Sequence, residues 1–154
     1  MDNRDPMLCK TFVLRAKEVL ALHPDLKHSW SIDEDEDHCI LDFPEACDQG
    51  FAITVEVSPA EIVVFGKGFH QHFAREDSAT KPIEQALGLV RDLLSKRMRI
   101  RECLSSGLPY RWHVESMRDG KWIEEASTGM LFWNYFGERS QRIYQNDSLN
   151  ARAD

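Results

Sequence analysis

The sequence predicts an α+β fold: a mostly antiparallel sheet, a meander of about six to eight strands, with two main helices packed on one face. Three observations lead there. Two stretches, one near the start and one mid-chain, repeat apolar residues every three or four positions, the period of a helix with one buried side. "FAITVEVS", residues 51–58, alternates apolar and polar side chains, the period of a strand with one buried face. After residue 97 the chain breaks into short apolar-rich runs separated by "SSGLP", "RDG" and "TG", which read as hairpin turns. The order helix, strands, helix, strands is not the βαβ alternation of a parallel sheet.

The first helix is expected over 6–22, with Met7, Leu8, Phe12, Val13, Ala16, Val19 and Leu20 as its stripe, Asp5 as cap and Pro6 in the first turn. A polar, acidic loop follows. "HCILDF" is a short strand ending at Pro44. "FAITVEVS" and "EIVVFG" form a hairpin around "SPAE", with proline at the second turn position. Gly66 and Gly68 then mark a turn before "FHQHF". The second helix begins near Thr80, a capping residue, with Pro82 in the first turn and Ile83, Ala86, Leu87, Val90, Leu93 and Leu94 as its stripe. Five strands follow: "RMRIREC", "YRWHVESM", "KWIEEAS", "GMLFWNYF" and "QRIYQ".

The 154 residues suit one domain, 1–154, with 146–154 as a frayed tail. A chain of that length buries enough surface to fold without a disulfide or metal. Its net charge of −7 argues against nucleic acid as a general partner, since phosphates are met by a basic surface. It contains neither a secretory leader nor a run of about 18 apolar residues, so no membrane is expected. Cys9, Cys39, Cys47 and Cys103 include no CxxC pair and read as reduced thiols of a cytoplasmic protein.

"FGKGFHQHFARED", residues 65–77, is the stretch closest to a chemical motif. Its glycines follow a strand, as in a phosphate loop. However, Gln71 stands where a third glycine belongs, Gly68 follows Lys67 where a Walker loop has Ser or Thr, and the helix starts about ten residues late. His70, His72 and Glu76 supply two imidazoles on one face of a strand and a carboxylate, a donor set for a divalent transition metal. His-x-His-x₃-Glu resembles part of the first cupin motif over these seven residues, which implies a metal site. The flanking cupin glycines fall on Val64 and Ile83, and a helix follows where a cupin barrel continues in strands. The plainer reading buries Phe69 and Phe73, shows the histidines to water, and needs no cofactor.

Three other groups stand out. The run Asp33–Asp37 opens like a calcium loop but has His38 and Pro44 where glycine and a bidentate glutamate belong, so Asp33, Asp35 and Asp37 read as a solvated loop able to meet a basic partner. Arg97, Arg99, Arg101 and Arg111 would share a sheet face with His113 and Glu115, either binding an anion or nucleic-acid backbone, or balanced by glutamates across strands. Trp122, Trp133 and Tyr135 supply aromatic surface of the kind that marks partner sites. With no Gly-x-Ser-x-Gly elbow, the leading expectation is a non-enzymatic protein-interaction module of inhibitor or immunity type, with a protein partner or a homodimer. The alternatives are a metal-dependent enzyme or metal-binding protein at His70, His72 and Glu76, and an anion binder at the arginines.

Overall fold

The structure, a computed structural model, describes residues 7–130 and 136–149. It is α+β, as the patterning predicts, but the strands form two antiparallel sheets rather than one meander. Helix α1 (Met7–Ala21) leads into β1 (Ser29–Ile32), β2 (Cys39–Phe43), β3 (Ile53–Val57), β4 (Glu61–Gly66) and β5 (Phe69–Ala74), a sheet in sequential order. Helix α2 (Thr80–Leu94) ends that run. The second sheet takes β6 (Met98–Ser105), β7 (Leu108–Arg118), β8 (Lys121–Gly129) and β9 (Arg139–Tyr144) in the order β8-β7-β6-β9. β9 does not continue the meander; it crosses back to β6, with Ile100 opposite Tyr144 and Ser105 opposite Arg139.

Both helices pack on the first sheet. In α1, Leu8, Phe12, Ala16 and Leu20 recur every four residues and are all buried. In α2, the stripe predicted from the sequence is buried together with Pro82. Under them lie the inward residues of alternating strands: Leu41 and Phe43 of β2, Ile53, Val55 and Val57 of β3, Ile62 and Val64 of β4. Arg15 of α1 joins the helices by reaching Glu84 of α2 through Nε at 3.0 Å and a terminal nitrogen at 2.7 Å. Cys9 and Cys39 hydrogen-bond across the α1–β2 contact, and burial pushes both thiols up.

Three local expectations change. Ala79, not Thr80, is the cap of α2, and no side chain bonds there. β1 lies within the predicted loop: it is an edge strand of four residues in which Trp30, edge-on to Phe12 at 6.3 Å, faces the core, too short a pattern to register as alternation. The tail is not frayed at its start. Asn146 is buried, accepts the Phe51 N–H at 3.0 Å, and donates to the carbonyls of Phe51 and Leu93 at 3.1 Å each. Ser148 and Leu149 donate backbone N–H groups to Leu94. Residues 145–149 therefore stitch the loop before β3 to the end of α2. One polar side chain makes three bonds there, and a hydropathy pattern carries no trace of it.

The turns follow residue chemistry. Ser106–Gly107 and Asp119–Gly120 have positive φ at both positions, the two-residue turn that matches strand twist. Lys67–Gly68 closes β4–β5 and docks on the second sheet. Gly68 (φ +74°) lies so close to Trp112 that an added Cβ would overlap the indole. Lys67 Nζ sits 4.3 Å over the Tyr144 ring. Trp112 Nε1–H and Tyr144 O–H donate to the buried Glu102 carboxylate at 2.8 and 3.3 Å. Thus the β4–β5 turn covers Trp112 and Tyr144 on the inner side of the second sheet, next to Met98, Ile100 and Val114, which join the main core.

Gly68→Ala and Gly107→Ala separate contact from conformation. Both positions have positive φ, but Gly107 has open space around it. Gly107→Ala should cost about 1–2 kcal/mol of left-handed strain. Gly68→Ala should cost a further 1–3 kcal/mol or so for overpacking against Trp112. Urea unfolding of the two variants measures the difference, and equal costs would mean that the Trp112 contact contributes nothing.

Candidate functional site: the outer face of the four-stranded sheet

Covering one side of the second sheet leaves the other side, built from alternate residues of all four strands. β6 presents Arg99, Arg101 and Cys103; β7 presents Arg111, His113, Glu115 and Met117; β8 presents Trp122 and Glu124; β9 presents Arg139, Gln141 and Ile143. The register sets Arg99 opposite Glu115, Arg101 opposite His113, and Cys103 opposite Arg111. A bulge after Val114 advances β8 by one residue, so that Glu124 stands opposite Glu115.

Glu115 is the centre of this face. Its side chain is 8% exposed, and it accepts Nε–H from Arg99 at 2.6 Å on one oxygen and from Arg101 at 2.8 Å on the other. Burial works to raise the Glu115 carboxyl, but the bonds from Arg101 and Arg99 outweigh it and hold the group below its ordinary value. The Glu115 bond in turn holds Arg101 above the ordinary arginine value. The Arg99 guanidinium stacks on Trp122 at 4.1 Å, and Arg139 stacks on Tyr110 at 5.0 Å. His113 Nδ1 meets Glu124 at 2.8 Å. Gly129 stands opposite Arg111, and a Cβ there would lie 3.3 Å from its Nε, so the missing side chain makes room for the guanidinium.

The structure therefore joins two sets that the sequence suggests separately. Trp122, expected in an aromatic patch, and Arg99, Arg101 and Arg111, expected in an anion site, share one surface. Arg97 does not join them: it precedes β6, lies 3.8 Å from Asp92, and lines an open groove of about 580 Å³ beside the ends of both helices. Trp133 and Tyr135, and most of the predicted "GMLFWNYF" strand, lie outside the described residues. Met117 and Ile143, which the sequence reading did not single out, are each 40% exposed on this face; isolated apolar residues in strands carry no signal of which side is open.

The other candidate groups are placed apart. His70 and His72 share the outer face of the first sheet, ring centres 5.1 Å apart. Glu76 does not stand beside them; its carboxylate takes Lys81 Nζ at 2.8 and 3.1 Å. The carboxylate at His72 is Glu61, 2.7 Å from Nδ1. Among the described residues no three His, Cys, Asp or Glu side chains converge as a metal-binding group. In the acidic loop, Asp33 is engaged internally: Oδ1 accepts the backbone N–H of Asp37 and His38, and the bond from His38 leads in holding its carboxyl low. Glu36 pairs with Lys10 at 3.2 Å, while Asp35 is exposed at the tip. No helix among the described residues is long and apolar enough to cross a membrane.

Glu115 makes stability depend on pH in a definite direction. Its proton binds less readily in the folded chain, so the group stabilises the fold above its ordinary value of 4.5, and that contribution is lost as pH falls through the lower folded value. Urea midpoints measured from neutral pH downward should fall through this window, and Glu115→Gln should flatten part of the fall while lowering stability at neutral pH. An unchanged slope would remove Glu115 from the account. Compared with known proteins, the chain matches no family model, no curated protein and no solved structure.

Proposed function

We propose that this chain is a non-enzymatic protein-interaction module of the cytoplasm, and that the outer face of the β6–β9 sheet is its docking surface. The observation that carries this reading is the stack of Arg99 on Trp122, held by Glu115 and flanked by Met117 and Ile143. Tryptophan and arginine are the side chains most often found to dominate binding energy at protein interfaces. Here they are ordered before any partner arrives, which lowers the entropy cost of association. Four free cysteines, three of them buried, suit a reducing compartment.

The reading requires no cofactor, and it shifts the emphasis away from Asp33, Asp35 and Asp37. That run belongs to the other sheet, and Asp33 is occupied in closing the β1–β2 connection. His70 and His72 also lie on that sheet and serve as a control surface.

Affinity capture from the native host with three baits tests the proposal. The wild-type chain and the His70→Ala/His72→Ala variant should retain the same protein. A Trp122→Ala/Ile143→Ser variant, confirmed to be folded, should lose it by at least about tenfold, as expected for an interface anchor. Retention by the Trp122 variant, or no partner for any bait, counts against the docking surface.

A further inference from the structure

The outer face holds more hydrogen-bond donors than acceptors. A guanidinium carries five N–H groups in a planar fork. Arg99 and Arg101 each commit Nε–H to Glu115. Among the described residues, the terminal nitrogens of Arg101 then reach only Cys103 Sγ at 3.8 Å and Glu124 at 3.9 Å. The terminal nitrogens of Arg99 and the whole Arg111 guanidinium meet no acceptor among the described residues. Among the described residues, Arg99, Arg101 and Arg111 thus stand against two carboxylates, Glu115 and Glu124, so this part of the face carries an excess of positive charge on a chain whose net charge is −7.

We infer that the occupant of this face is an acidic, extended segment of the partner protein, its carboxylates received by Arg111 and by the open edge of the Arg99 guanidinium. The inference rests on the reading of this face as a docking surface. Charge complementarity carries it, and the face already shows the chemistry: Glu115 is a carboxylate held between two arginines. Arg111 and the partner of Arg99, Glu115, are four residues apart on β7, about 13 Å at the rise of a strand. An extended segment with acidic residues at that separation would reach both sites. Met117 and Ile143 offer apolar contact beside the charged sites.

A polyanionic nucleic acid suits the face less well. Neutralising a phosphate backbone takes a row of uncommitted cations. Here Arg99 and Arg101 already share Glu115, and Glu124 stands next to them. Carboxylates spaced along a peptide can use Arg111 and Arg99 without bringing a continuous line of charge over those glutamates.

Titration of the isotope-labelled full chain with decaglutamate, followed by amide shifts in NMR, tests this directly. Shifts should centre on residues 99–101, 111–115 and 122, weaken as salt rises, and require at least about tenfold more peptide in Arg111→Gln, an exposed site where folding should be unaffected. Decalysine should give none of these shifts. Absence of binding at low salt, or shifts confined to other surfaces, would overturn the inference. So would a single-stranded decanucleotide that binds this face more tightly than decaglutamate. If decaglutamate fails while capture still depends on Trp122, the acidic-segment inference falls and the docking surface stands.

Discussion

The contact between Gly68 and Trp112 organises the rest of the structure. A glycine at the β4–β5 turn lets the backbone approach an indole more closely than any side chain would allow. The indole is held from behind by Glu102, whose carboxylate also takes Tyr144. Strands β6, β7 and β9 are thereby tied through one buried carboxylate to one turn of the first sheet. A buried carboxylate is costly unless its oxygens are hydrogen-bonded, and here both are. The inner side of β6 is buried and Trp112 and Tyr144 are taken up by this docking, while the opposite, outer side of the sheet carries the partly exposed arginines.

What that outer side does with its freedom is electrostatic rather than apolar. Glu115 lies between Arg99 and Arg101, each 23% exposed, so the three are less screened than an ordinary surface pair but not sealed from solvent. Such an arrangement is better regarded as a positioning device than as a large source of stability, because desolvation offsets much of the attraction. It fixes two planar guanidiniums at known places on a rigid sheet. Lysine could supply the charge but neither the fork nor the flat stacking over Trp122. Preorganisation of this kind is what a docking surface needs, and it arises from register: the two-residue turn Ser106–Gly107, both residues at positive φ, sets Leu104 opposite Pro109, and an irregularity between Cys103 and Leu104 then shifts the pairing by one residue so that Arg99 faces Glu115.

Local patterning made most of the elements legible. The four-residue recurrence of α1, the stripe of α2 and the alternation of β3 each report burial on one side, and each corresponds to a buried face. The alternation of arginines in β6 likewise placed Arg99 and Arg101 on one side. Long-range facts were not legible. Nothing local marks α2 as the border between two sheets, or sends β9 back to β6. Arg97 continues the alternation by sequence but precedes the strand, and Glu76 lies at metal-ligand spacing from His72 yet turns to Lys81. The glycines of "FGKG" have the composition of a phosphate loop; Gly66 makes room for the Phe69 ring and Gly68 admits Trp112, from a strand more than forty residues away in sequence. Asn146 illustrates the same limit, since the three backbone groups it satisfies belong to two remote segments.

The central claim is that the two sheets form one unit, so that the outer face of the second is held rigid by a contact on its inner side. Native-state hydrogen exchange tests this most directly, comparing amides of Ile53–Val57 in β3 with those of residues 100–104 in β6. Both sets should open only by global unfolding, with the same free energy and the same denaturant dependence. Exchange of residues 100–104 at a distinctly lower free energy, with β3 still protected, would show that the second sheet opens alone and would contradict the claim.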